Sequence, residues 1–190
     1  IADMISSPFR PAPGRFLVSE PFMGDPNFQR SVVLLTEHND QGSLGFVLNR
    51  QIEAGVHDLI EEVPKFDAPV FLGGPVEQNT LHYLHRLGER LPHSHHIAND
   101  VYWSGDFDLL TKMISDNSIS EDEILFFVGY SGWGPGQLEK ELEQKSWIVA
   151  PETDEFVFMD EYDGLWQQVL GSMGGKYRVL SNYPVDPQLN

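Results

Sequence analysis

The chain has 190 residues, 41% hydrophobic and 22% charged, an ordinary balance for a globular protein and far from the polar excess of a disordered one. Its 29 acidic side chains face only 12 Lys and Arg, a formal net charge of −17 with the cations scattered singly, which disfavours direct contact with nucleic acid or an anionic membrane. Cysteine is absent, so disulfides, thiolate nucleophiles and Cys-ligated metal sites are excluded.

The opening Ile1–Gly14 carries three prolines and no apolar run, unlike a secretory leader, and residues 1–13 read as an extended segment. Arg15–Ser19 is the first short apolar run of strand type. Val32–Glu37 and Leu44–Asn49 read as a hairpin with the polar His38–Ser43 as its loop, and the almost wholly apolar arms predict burial on both faces. Val56, Leu59, Ile60 and Val63 share one face of a short helix stopped by Pro64. Further strands are expected at Pro69–Gly73, Leu81–His85 and Val101–Ser104. Asp106–Asp116 reads as a helix capped by Asp106, with Leu109, Leu110, Met113 and Ile114 on one face. Then come a strand at Ile124–Tyr130, a helix at Gln137–Lys145 marked by Leu138 and Leu142, and strands at Trp147–Ala150 and Glu155–Met159. A last helix carries Leu165, Trp166, Val169, Leu170 and Met173 and ends at Gly174–Gly175. Helices fall between groups of strands without strict alternation, which favours α+β. Without repeats or linkers, residues 14–183 form one expected domain, and 184–190 an extended or frayed tail. No stretch approaches the ~18 apolar residues of a membrane span, and the expectation is a soluble, cytoplasmic protein.

The most distinctive segment runs from Val128 to Glu139, where a buried strand is expected to enter a loop with four glycines and then a helix. A phosphate cradle at that helix start is disfavoured by the missing Gly-Lys-Ser/Thr ending and by Glu139 and Glu141 in the first turns. Glycines for close approach, with Trp133 as a lid or plug, explain it better. Ser131 has Gly129 two residues before it but Trp133 two after, which departs from a nucleophile elbow and favours a structural serine. His82, His85, His93, His95 and His96 invite a metal, yet on a strand His82 and His85 point to opposite faces, so no metal is assigned. The acidic Glu152–Asp163 lacks calcium-loop spacing and reads as a solvated hairpin with charged ends. Gly73-Gly74-Pro75 reads as a sharp change of direction after a buried strand, and Asn49-Arg50 as a polar pair closing another, with Arg50 able to hold a carboxylate.

Together these motifs resemble the YqgE/AlgH family of bacterial proteins. The resemblance rests on Gly14-Arg15-Phe16-Leu17-Val18, Phe28–Leu35, Glu37-His38, Gly42–Arg50, Gly73-Gly74-Pro75-Val76 and Gly129–Glu139, and covers about Gly14 to Tyr183. It implies a single α+β domain whose branched, mostly antiparallel sheet curls into a pseudo-barrel with several flanking helices. It implies little chemistry: members are mostly uncharacterised, and their label of transcriptional regulator comes from an association with control of alginate synthesis. It brings no established catalytic residues and no helix-turn-helix. Gln51 stands where the family commonly has proline, which loosens the expected turn.

The leading expectation is a cytoplasmic binding or interaction module, regulatory through an unknown protein or small-molecule partner, with no cofactor and no direct DNA contact. Its candidate surface is Asn49, Arg50, Gly73, Gly74, Tyr130, Ser131, Trp133 and Gln137, provided that they line one apolar recess with a few oriented polar groups. The alternatives are an enzyme using Ser131, His38 or the histidine cluster, and a regulator that binds DNA directly. The second is opposed by the charge.

Overall fold

A computed structural model of the chain describes residues 6–185; the outermost parts of the two predicted terminal segments, 1–5 and 186–190, lie outside the described residues. The fold is organised around its most apolar run. Ile124–Trp133 forms a strand whose residues alternate between two buried clusters, Leu125 and Phe127 on one face and Ile124 and Phe126 on the other. In chain order the strands are β1 (Phe16–Ser19), β2 (Val32–Asn39), β3 (Gly42–Val47), β4 (Gln51–Ile52), β5 (Val70–Leu72), β6 (Val76–His85), β7 (His95–Ala98), β8 (Val101–Trp103), β9 (Ile124–Trp133) and β10 (Trp147–Ala150). The helices are α1 (Val56–Leu59), α2 (Phe107–Ser115), α3 (Gln137–Glu143), α4 (Leu165–Ser172) and α5 (Gly175–Ser181).

β6 pairs along one edge of β9, antiparallel, while β5 (parallel) and then β3 (antiparallel) divide the other edge between them. That shared edge is the branch in a single sheet ordered β10-β1-β2-β3-β9-β6-β8-β7, with β4 beside β5. Ile148 of the terminal β10 and Val101 of β8, next to the other end of this order, enter the same cluster, so the sheet curls without closing. The inner face is filled by Phe16, Leu34, Phe46, Phe71 and Phe127, and plugged by Trp166 and Leu170 of α4 and Leu180 of α5. Outside, α3 covers Leu17, Val33, Leu35 and Val47 through Leu138, while α2 covers Tyr83 and Phe126 through Leu110 and Ile114. Cover on both faces explains why the strands are apolar almost throughout. The expected α+β single domain with a curled, mostly antiparallel sheet is therefore observed.

Several details differ from expectation. Glu155–Met159 is not a strand: Asp154–Phe156 is one 3-10 turn, and neighbouring Phe156 and Val157 both enter the inner cluster, which an extended chain would not allow. The acidic segment is therefore a plug at the end of the curl rather than a hairpin, held where the Tyr162 hydroxyl donates to Val157 O at 2.6 Å. The hairpin loop is shorter than predicted, because His38 pairs with Ser43 and Asn39 with Gly42, leaving only Asp40 and Gln41 to turn. The helix expected up to Val63 stops at Leu59, whose side chain is 41% exposed. Strands β4 and β7 and helix α5 are additional, and β7 takes in His95 and His96, expected as loop, while His93 and Ser94 stay outside it. The predicted glycine loop shrinks because β9 continues to Trp133. Among the described residues no helix is long and apolar enough to cross a membrane.

Candidate functional site

β5 lies on one edge of β9 and β6 on the other, so Gly73-Gly74-Pro75 has to cross β9. It crosses in backbone contact: a Cβ on Gly74 would lie 2.2 Å from Tyr130 O, and one on Gly129, at φ +70, would lie 2.7 Å from Gly74 O. The Ser131 hydroxyl donates to Gly73 O at 3.0 Å and is fully buried, and no imidazole or carboxylate among the described residues bonds it. Ser131 thus fastens the crossing, and among the described residues no base is bonded to it.

Asn49 and Arg50 hold the preceding loop. Asn49 Oδ1 accepts from Val32 N at 3.0 Å and its Nδ2 donates to Arg30 O at 2.8 Å. Arg50 Nη2 donates to Pro26 O at 2.9 Å, and burial lowers its pKa, opposed by the nearby charge of Asp25. Trp133 is turned away from Tyr130 onto the face that α3 covers. Its indole and that of Trp147 both donate to Glu141 Oε1, at 3.1 and 2.9 Å, and Phe28 stacks against it. Gln137 braces this arrangement, accepting from Gly134 N at 2.9 Å and donating to Glu141 Oε2 at 2.9 Å. The eight candidate residues therefore do not line one recess. Gly73, Gly74 and Ser131 meet at the crossing, Asn49 and Arg50 hold the loop, Gln137 and the Trp133 indole join α3, and of the eight Tyr130 and Trp133 line a common groove.

Tyr130 opens onto a groove of about 390 Å³ between the β2–β3 turn and the start of β6. A β-bulge between Leu35 and Glu37 decides what faces it: by simple alternation from buried Leu35, Glu37 would point outward, but the extra residue pairs it with Leu44 on the inner face. Glu37, Leu44 and Gly132 then form one row across three strands, with Val76 and Tyr130 paired beside it. The next row, His38–Ser43–Trp133, faces α3. There His38 Nδ1 lies 2.7 Å from Ser43 Oγ and its Nε2 lies 3.4 Å from Glu139 Oε1. Ser43 is only 8% exposed. Glu37, Gly42, Leu44 and Gly132 stood in the motifs but not among the predicted site residues; the clue was the short polar Asp40-Gln41, which allows a tight hairpin, but the bulge leaves no local mark.

The histidines separate as a strand requires. His82 turns inward, 5.3 Å from the Phe46 ring centroid, and its Nε2 meets Thr80 Oγ1 at 2.9 Å. His85 is fully buried on the other side: its Nδ1 accepts from Leu87 N and its Nε2 donates to Ser104 O at 2.8 Å, which defines a neutral tautomer. Burial lowers the pKa of both rings, opposed by Glu77 at His82 and by the Ser104 carbonyl at His85. Among the described residues no three His, Asp or Glu side chains stand close enough to hold a metal ion.

The sequence profile described as AlgH-like matches residues 16–178. A UPF0301 protein of Cytophaga hutchinsonii is 49% identical over 178 residues, covering 93% of this chain and 98% of the relative. One from Chlorobium limicola is 42% identical, covering 94% and 95%. Among solved structures, the crystal structure of a Corynebacterium diphtheriae protein superposes with TM-score 0.76 at 26% identity, covering 92% and 94%. The solution structure of the AlgH protein from Pseudomonas aeruginosa superposes with TM-score 0.72 at 27% identity, covering 93% and 97%.

Proposed function

The chain belongs to the AlgH-like family, and on that premise we propose that it is a cytoplasmic binding module, regulatory through a partner and not through DNA, with the groove beside Tyr130 as its seat. The observation that carries this reading is the row Glu37–Leu44–Gly132, which joins a carboxylate, an apolar side chain and bare backbone on one open surface. The net charge of −17 supports action away from DNA, and a cysteine-free chain suits a reducing compartment. Of the eight candidates Tyr130 and Trp133 line the seat, Trp133 with its indole turned toward α3. A photo-crosslinking residue at Gln41, in the turn above the groove, is expected to capture a partner in cells that Tyr130→Ala loses while the thermal midpoint holds. Equal capture from Glu62, in the loop after α1, or a gel shift with DNA at low salt, would overturn the reading.

A second reading, acyl transfer, is favoured by the chain Ser43–His38–Glu139, which orders a nucleophile, a base and an orienting carboxylate. Against it, Ser43 is nearly closed to solvent beneath α3. Labelling by a fluorophosphonate that Ser43→Ala abolishes would support it, and an unlabelled wild-type chain would remove it.

A further inference from the structure

We infer that the occupant of the groove is an extended, basic segment of a partner protein, added along the open edge of β9; this rests on the groove being the seat. The first support is the edge itself. Val76 with Tyr130 is the outermost pair that β6 makes with β9, yet β9 runs on to Trp133. Among the described residues, Ser131–Trp133 pair with β3 on one edge and with no strand on the other. Unpaired strand edges offer N–H and C=O groups to an incoming extended chain.

The second support is the bare floor beside that edge. Gly42 and Gly132 flank Leu44 on the inner face, so side chains of a segment on that edge can lie across the sheet where larger residues would stop them. Gly42 is itself obligatory: at φ +131, a Cβ there would lie 2.3 Å from Trp133 O. The third support is charge. Glu37 is exposed on the wall, and among the described residues no Lys or Arg lines the groove. Exposed Asp40 sits in the turn above, and exposed Glu77, held at φ 46, follows Val76. A strand places alternate side chains on one face, so Lys or Arg at every second position would pass beside the Tyr130 ring and reach across Leu44 toward Glu37. An acidic segment would be repelled, and a second copy at −17 would bring like charge.

The test titrates the full isotope-labelled chain with three hexapeptides: Lys-Val-Lys-Val-Lys-Val, its Glu-Val counterpart, and the Lys-Val peptide N-methylated at alternate residues. The basic peptide is expected to shift the amide signals of Gly42, Gly132 and Trp133, saturably, and to weaken about fivefold between about 20 and about 200 mM salt. The acidic peptide is expected to leave those signals in place, and N-methylation to abolish the shifts by removing the donors. Glu37→Gln is expected to weaken the basic peptide about threefold while leaving the amide signals away from the groove in place. Equal binding of the acidic peptide, or full binding of the N-methylated one, overturns the basic strand while leaving the groove as a seat. Shifts confined to other surfaces, together with equal crosslinking from Gln41 and Glu62, overturn both.

Discussion

Replacing single glycines separates the two demands that the β9 crossing makes on the backbone. At Gly129 they coincide: φ is +70, and a Cβ would lie 2.7 Å from Gly74 O and 3.0 Å from Val76 O. Gly136 has only the first, with φ +74 and nothing within 4 Å. Gly45 has only the second, a Cβ 2.6 Å from Leu34 O without a left-handed φ. A left-handed alanine costs about 1–2 kcal/mol, and forcing a methyl group into a filled interior about 1–3 kcal/mol. Gly136→Ala is therefore expected to lose about 1 kcal/mol of unfolding free energy and Gly45→Ala about 2 kcal/mol, while Gly129→Ala loses about 3–5 kcal/mol because both penalties fall on backbone that cannot yield. Urea unfolding followed by tryptophan fluorescence and far-UV circular dichroism measures all three. If Gly136→Ala proved as damaging as Gly129→Ala, the account of the crossing as a backbone contact would be wrong, and a neutral Gly45→Ala would refute the steric cost assigned to a Cβ against strand backbone.

Three other outcomes follow from the same contacts. Glu141→Leu leaves the indole N–H groups of Trp133 and Trp147 without their acceptor, so a loss of about 2–4 kcal/mol is expected, against a smaller loss for Glu141→Gln. Asn49→Ala removes an acceptor for Val32 N and a donor to Arg30 O; urea unfolding should show a cost of about 2 kcal/mol, and a neutral result would refute the clamp. His82 and His85 have folded pKa values below their ordinary 6.5, so the unfolded chain takes up protons first on acidification. Their contribution is complete above pH 6.5 and is lost progressively below it, down to the lowered folded values; the thermal midpoint of His85→Gln should fall less steeply over that window than that of the native chain.

What was legible in the sequence was local. Asp106 predicts its helix because the bond it makes, to Leu109 N, is three residues away. Trp147–Ala150 reads as a strand because four adjacent apolar residues with turn residues around them have few other uses. Phe156 and Val157 misled because their short apolar run resembles a strand, while the opening that they plug is made by distant elements. β7 was hidden because His95 and His96 are exposed and polar, and its pairing comes from β8. The family resemblance carried the curled sheet, which no local pattern announces.

The candidate site shows the same division. Sequence singled out the glycines, Ser131 and Trp133, and contact distances show why they cannot be replaced freely, as parts of a crossing and of a face beneath α3. The groove depends instead on which residues meet across strands. Glu37 and Gly132 are distant in the chain, and their shared row exists only because a bulge turns Glu37 inward and β3 brings Leu44 between them. Composition and hydrophobic pattern by themselves determined an acidic α+β domain with strands buried on both faces, because burial and hydrogen bonding act residue by residue. Register decided the surface, because in a sheet a shift of one residue exchanges the faces.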